Sequence, residues 1–327
     1  MSALKKMTLL LLVIVATYSC NDDDDNTVIV PDPLNIVETA IATADLSNLV
    51  AALQAADGDL VSVLNGNGPF TVLAPTNAAF ETFLADNNFA SLADVPTDVL
   101  AQVLLNHVIS GKVMSSDLVA SGAGYSKTNA TGAGGNTISI YFDTSNGVRF
   151  NNISSVATAD IEATNGVVHI VDTVIGLPTV VDFALADPTF ETLVAALTRS
   201  DLTFDYVTTL STPDGTSPAP FTVFAPTNTA FEDLLTELGA SALTDIDEPT
   251  LKATLDHHAV AGANVRSSSL MDNMTVGTLG GNITANITGG ATLTDANGRI
   301  SNIVAVDVQA VNGIIHAIDK VILPDLE

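Results

Sequence analysis

The chain has 327 residues, enough for two domains of ordinary size, and 47% of them are hydrophobic, so each domain can bury a core. With 37 acidic residues against 10 basic ones, a net charge of −27 repels phosphate backbones and anionic headgroups; this argues against nucleic acid and against unaided binding to membrane surfaces. The single cysteine, Cys20, excludes an intramolecular disulfide, and the lack of Trp leaves the core to Val, Ile, Leu and Ala.

Residues 1–19 read as a secretory signal peptide. Lys5 and Lys6 supply the positive region, and the apolar run from Leu9 to Ala16 is too short for a transmembrane span. Ser19 precedes Cys20, and the stretch Ala16-Thr17-Tyr18-Ser19-Cys20 resembles a bacterial lipobox, with Thr17 standing where that pattern prefers Leu. Cys20 is therefore the expected lipid-attachment residue, anchoring the protein in the outer membrane with its domains exposed. Several acyl chains hold firmly where one does not, because each buried methylene is worth about 0.8 kcal/mol. Residues 20–33 begin with Asn21-Asp22-Asp23-Asp24-Asp25, a self-repelling run expected to act as an extended acidic tether.

Beyond the tether the chain repeats itself. Phe70-Thr71-Val72-Leu73-Ala74-Pro75-Thr76-Asn77-Ala78-Ala79-Phe80-Glu81 returns as Phe221-Thr222-Val223-Phe224-Ala225-Pro226-Thr227-Asn228-Thr229-Ala230-Phe231-Glu232. Leu49 to Leu53 returns as Leu193 to Leu197, His107 as His258, and Asn165-Gly166-Val167-Val168-His169 as Asn312-Gly313-Ile314-Ile315-His316. Two domains follow, 34–177 and 178–325, joined through the short Leu177-Pro178-Thr179, which predicts a semi-rigid pair. The second copy carries extra residues at 211–218, rich in Pro, Ser, Thr and Gly, which read as a surface loop.

Within each copy the elements come in a fixed order. Ile36, Ala40, Ala44, Leu49, Ala52 and Leu53 keep helical spacing, and Phe183, Leu193 and Leu197 play the same part in the second copy. Phe70 to Leu73 predicts a short buried strand ended by Pro75. Thr76 or Asn77 is suited to cap the next helix, with Glu81 in its first turn; Asn228 takes the corresponding place. A further helix begins near Pro96 and sets Leu100, Leu104 and His107 on one face, as Leu251, Leu255 and His258 do later. Thr137 to Phe142 alternates as a strand, and Asn146-Gly147 predicts a type I′ hairpin turn, repeated at Asn297-Gly298. Helices first and strands later make the fold class α+β, with helices packed on a folded antiparallel sheet.

These blocks resemble the motifs of fasciclin (FAS1) domains: Phe-Thr-Val-x-Ala-Pro-Thr-Asn-x-Ala-Phe early, the histidine of Leu105-Asn106-His107-Val108-Ile109-Ser110-Gly111 in the middle, and Asn-Gly-x-x-His-x-x-Asp-x-Val-Ile late. The resemblance covers nearly all of 34–325 and implies two tandem fasciclin-like domains, each a folded antiparallel β-wedge or sandwich with packed helices. It implies adhesion, matrix contact or surface recognition, with an extracellular protein or glycan as partner. Animal members often carry Tyr before the middle histidine, a pair linked to integrin binding; Asn106 and His257 stand there instead, and Arg-Gly-Asp is absent.

The remaining candidates read as framework. His107, His169, His258 and His316 lie on apolar faces with no cysteine or carboxylate recurring at ligand spacing, so zinc is not expected. Asp172 and Asp319 are expected to accept hydrogen bonds. No nucleophile elbow, phosphate loop or EF-hand spacing is present, so neither an enzyme nor a cofactor is expected. The expected function is a lipid-anchored surface adhesion or recognition protein; the alternative is an accessory envelope lipoprotein that scaffolds a surface complex.

Overall fold

A computed structural model describes residues 33–325; the leader, Cys20 and residues 20–32 of the tether lie outside them. Three short helices open the first copy, α1 (Ile36–Ala42), α2 (Ser47–Ala55) and α3 (Leu60–Leu64). Strand β1 (Phe70–Pro75), helices α4 (Asn77–Asp86) and α5 (Thr97–Leu105), β2 (Val108–Ser110) and α6 (Ser115–Ser121) follow. Five strands complete it: β3 (Ala123–Thr131), β4 (Thr137–Asp143), β5 (Arg149–Phe150), β6 (Ser154–Ala163) and β7 (Gly166–Val171). The second copy repeats the plan with α7 (Val180–Ala186), α8 (Glu191–Leu197), α9 (Tyr206–Leu210), β8 (Phe221–Pro226), α10 (Asn228–Leu238), α11 (Glu248–Asp256) and β9 (Ala259–Ala261). Its strands are β10 (Met274–Gly277), β11 (Asn282–Asn286), β12 (Thr292–Thr294), β13 (Ile300–Gln309) and β14 (Gly313–Ile318).

Each sheet is antiparallel except at one place. β1 pairs with β7 in parallel, Phe70 opposite Gly166 through Pro75 opposite Val171, and β8 pairs with β14 in the same way. A parallel pair needs a long crossover, and everything between the first and last strands of each copy is that crossover, while the three opening helices precede it. In the first copy the seven strands close into a barrel through β2 and β3; in the second the order is β10-β11-β12-β13-β14-β8-β9. Each copy has a hydrophobic cluster under its helical cap, around Phe80, Leu100 and Leu104 in one and Phe183, Phe221 and Phe231 in the other, which Tyr141 of the first copy joins; a second cluster in each lies around Leu73 and Phe150 and around Phe224 and Leu293.

The helix starts follow from hydrogen-bonding side chains. Asn35 and Glu38 form a reciprocal capping box on α1, as Thr179 and Asp182 do on α7. Thr76 and Thr227 cap α4 and α10 through Ala79 N–H and Ala230 N–H. Asn77 and Asn228, expected as caps of these helices, cap a neighbouring helix instead. Asn77 Oδ1 accepts from Asn48 N–H (2.8 Å) at the start of α2, and Asn228 Oδ1 from Thr192 N–H (2.9 Å) at the start of α8. Glu81 falls in the second turn of α4, exposed, and Pro96 is the residue before α5 rather than its first. The expected type I′ turn at Asn146-Gly147 is not formed, since only Gly147 has positive φ; the same holds at Asn297-Gly298. The turn with two left-handed central residues lies between β5 and β6, at Asn151 (φ 45°) and Asn152 (φ 55°), closed by Ile153 N–H to Phe150 O.

One histidine in each copy ties the helical layer to the exit from the last strand. His107 Nδ1–H donates to Val103 O (2.7 Å) at the end of α5, and its Nε2 accepts from Ile175 N–H (2.9 Å). His258 repeats this with Thr254 O (2.8 Å) and Ile322 N–H (2.9 Å). An Nε2 that accepts from a backbone N–H fixes the proton on Nδ1, so both rings are neutral. Burial pushes both down to about 4, only partly opposed by the backbone hydrogen bonds.

The copies meet along a hydrogen-bonded interface that extends beyond the short join. Ala133 N–H donates to Val311 O (2.9 Å), Gln309 N–H to Ser139 Oγ (2.9 Å) and Lys127 Nζ to Asp307 O (2.7 Å). Arg266 reaches Asn136 Oδ1 at 2.6 Å, and Tyr125 donates its hydroxyl to Asp187 (2.8 Å) while its ring packs edge-on to Phe183. At Gly132 the backbones come so close that a Cβ would sit 2.3 Å from Ala310 O.

Two outcomes are expected. Gly132→Val should force the copies apart at a cost of about 1–3 kcal/mol, seen as a lower urea midpoint and as new protease cleavage in 176–179; an unchanged digest would show the interface to be dispensable. For the histidines, the folded pKa lies below the ordinary 6.5, so below pH 6.5 the unfolded chain binds protons that the folded chain refuses. Stability should therefore fall between about pH 6.5 and 4 by up to about 3 kcal/mol per ring and then level off. His107→Gln should lower stability at pH 7 and shrink the loss between pH 7 and 4.5; a loss of wild-type size in the variant would place the acid sensitivity elsewhere.

Candidate recognition surface

The residues repeated between the copies turn inward. His169 Nε2–H donates to Val113 O (2.9 Å), and its Nδ1 accepts from Asp160 N–H (3.1 Å). His316 does the same with Val265 O (2.9 Å) and Asp307 N–H (3.4 Å), and burial holds its pKa below the ordinary value. Asp160 and Asp307, which sequence reasoning passed over, sit at left-handed φ (60° and 58°) in register shifts of β6 and β13. Asp160 takes Ser115 N–H (2.8 Å) and the Ser115 hydroxyl, bonds that hold its carboxyl below the usual range. Asp307 takes the Ser267 N–H and hydroxyl; burial alone would raise its pKa, but those bonds prevail and the net shift is downward. Their recurrence at the same offset as the late histidines was the signal available for finding them.

The other singled-out positions are also engaged. Asp172 and Asp319 lie one residue past β7 and β14 and accept from Ser155 N–H (2.8 Å) and Asn302 N–H (2.7 Å). Asn106 is fully buried, donating to Gly176 O (2.9 Å) and accepting from Thr128 Oγ1 (3.1 Å). His257 is buried against Gly280, where a Cβ would meet its ring at 2.2 Å. Neither position before the middle histidine presents a side chain to a partner. The four repeated histidines spend both ring nitrogens on backbone groups, and among the described residues no three His, Cys, Asp or Glu side chains gather in metal-binding geometry.

What does face solvent is a groove beside the join. Two clefts of about 290 and 590 Å³ share Ile153, Gly176 and Leu177. The smaller is bordered by the exposed Asn152 and Asp182, with Asn151 buried beneath and accepting from Tyr141 N–H (2.8 Å), the larger by Phe83, Phe89 and Asp86. The two-asparagine turn projects Ile153 into this groove, where it remains 53% exposed. An apolar centre with an amide and carboxylate rim is the composition of a recognition surface.

Comparison with known proteins agrees with this architecture. Residues 44–178 and 188–324 each match the fasciclin domain. Protein sll1483 of Synechocystis sp. is 38% identical over 146 residues, 43% of this chain and 73% of that protein. Transforming growth factor-beta-induced protein ig-h3 of Sus scrofa is 32% identical over 269 residues, 80% of this chain but only 36% of its own length. In fold, the chain is similar to a FAS1 domain pair from the insect cell adhesion molecule fasciclin I, with a TM-score of 0.51 at 19% identity, covering 86% of this chain and 97% of that one. Two matched domains in tandem, over most of its length, make this chain a member of the fasciclin domain family.

Proposed function

We propose that the chain is a cell-surface adhesion module that binds an extracellular protein or glycan through the groove beside its domain junction. The observation that carries the reading is the groove itself. It is an apolar strip at Ile153 and Leu177 with a polar rim, beside a junction that hydrogen bonds hold in one arrangement. The repeated polar residues described above are committed to the framework, which favours a binding role over a catalytic one. The similar domain pair comes from a molecule named for cell adhesion, which supports the same reading. In this proposal Cys20 carries the lipid that holds the protein at the outer membrane, residues 20–33 act as the spacer, and the domains occupy 34–177 and 178–325.

Ile153→Asp leaves a residue already half in water and should not disturb folding. It should weaken binding on a glycan and protein array, and lower cell attachment, about tenfold, the loss that follows from removing one central apolar anchor. Unchanged binding would remove the groove from consideration. Cys20→Ser should move the protein from the membrane to the soluble fraction; continued membrane retention would reject the anchor. Recovery of one stoichiometric envelope partner, with attachment unaffected by deletion, would favour a scaffolding role instead.

A further inference from the structure

The second copy contains a cavity of about 170 Å³ that the first does not. It lies between α7, α8 and α9 and the inner face of β8 and β14, walled by Val181, Ala184, Leu197, Tyr206, Leu210 and Ile315 among others. The equivalent wall in the first copy, with Val37, Ala40, Leu53, Leu64 and Val168, encloses about 20 Å³. The walls are alike in kind, with Val180, Tyr206 and Ile315 where the first copy has Ile36, Leu60 and Val168.

The connections around α9 differ more than the walls do. Four residues, 56–59, link α2 to α3, whereas eight, 198–205, link α8 to α9; five, 65–69, link α3 to β1, whereas ten, 211–220, link α9 to β8. Helix α9 thus hangs on two longer spans, and its first residue is held from outside. Tyr206 donates its hydroxyl to Asp256 Oδ1 (2.6 Å), and Phe204 packs edge-on against its ring at 4.7 Å beneath the ammonium of Lys252. These contacts fix the first residue of α9 against α11.

The lining has little to offer a polar guest. The Tyr206 hydroxyl is turned to Asp256, and the Thr198 hydroxyl donates to Val194 O (2.8 Å). A buried water needs two to four polar partners, and an apolar cavity of about 150 Å³ is large enough to take benzene. No Lys or Arg lines the wall, and the chain carries a net charge of −27, so a carboxylate headgroup finds no counter-charge there. Leu185 (57% exposed) and Val207 (38% exposed) lie at the rim, an apolar approach from solvent.

We infer that this cavity is a binding site for a small uncharged hydrophobic molecule, a monocyclic aromatic or a neutral alkyl end of about six to eight carbons. The site opens next to the groove beside the junction, with Leu185 bordering both, and its cavity lies within the second copy.

The test uses the full chain carrying Cys20→Ser, so that no attached acyl group competes, titrated with toluene, 1-octanol and octanoate and followed by methyl NMR. Toluene and octanol should shift the methyl signals of Val181, Leu197, Leu210 and Ile315 and leave those of Val37, Leu53 and Leu64 in place, with octanoate binding at least tenfold more weakly than octanol. Ala184→Leu fills the cavity and should abolish the shifts without loss of stability, whereas Ala40→Leu, placed where there is no room, should destabilise the first copy. Should Ala184→Leu not fold, Val194→Phe at the half-buried edge serves the same purpose. Shifts that survive the filling variant, equal shifts in both copies, octanoate binding as well as octanol, or no shifts at all would each overturn the assignment.

Discussion

Each copy is organised by the parallel meeting of its first and last strands. Phe70 N–H donates to Asn165 O and Phe221 N–H to Asn312 O, both at 3.0 Å, and at the next residue the backbones come so close that a side chain has no place. A Cβ on Gly166 would sit 1.9 Å from Phe70 O, and one on Gly313 2.4 Å from Phe221 O. The asparagine before each glycine completes the knot. Asn165 Oδ1 accepts from Ile36 N–H while its Nδ2 donates to Leu64 O and Gly66 O, so one buried amide joins the start of α1 to the end of α3. Asn312 does this for α7 and α9. The strand pair therefore also sets the position of the helical cap, and with it the walls of the cavity in the second copy.

That cap is one place where the two copies diverge, beside the sheet, which closes into a barrel in the first copy only. The strand knot, the histidine ties and the aspartate bonds are the same residue for residue, while the connections around the third helix differ in length. Loop length costs little in stability once the ends are fixed. The second copy can therefore carry longer spans because the tie at Asn312 holds one end of α9 and the Tyr206–Asp256 bond the other. Variation is confined to what the common framework does not constrain, and two distinct surfaces, a groove beside the join and an apolar cavity, result from one repeated plan.

The repeat, the buried strands at Phe70 and Phe221 and the framework role of the histidines were legible in the sequence, because each is a local or periodic pattern, while the cap of α4 was left open between Thr76 and Asn77 and Thr227 was passed over for Asn228. The parallel pairing was not, since nothing in a strand's own residues states the direction of its neighbour. Asn77 misled for a related reason: an asparagine beside a helix start is a good cap, and the sequence does not say of which helix. The Asn146-Gly147 turn failed because five residues, 144–148, separate β4 from β5, and the longer connection relieves Asn146 of the left-handed conformation. The groove and the interface depend on long-range placement of Ile153, Gly132 and Gln309, residues with no distinguishing local pattern.

The acidic composition acquires a second meaning from the structure. As a total it speaks only of solubility and of partners excluded by repulsion. Taken residue by residue, many of these carboxylates close the chain's own backbone: Asp182, Asp205 and Asp247 at helix starts, Asp160 and Asp307 at the register shifts, and Asp272 across the turn at Thr288. Small carboxylates suit these places because they accept two N–H or O–H groups at once, and a helix start favours negative charge. Asp160, Asp205, Asp247, Asp272 and Asp307 are all held below the usual carboxylate range, so they remain ionised into mild acid. A chain without disulfides thus has two acid responses set in different ranges: the buried histidines resist protonation first, between about pH 6.5 and 4, and the carboxylates give way only at lower pH.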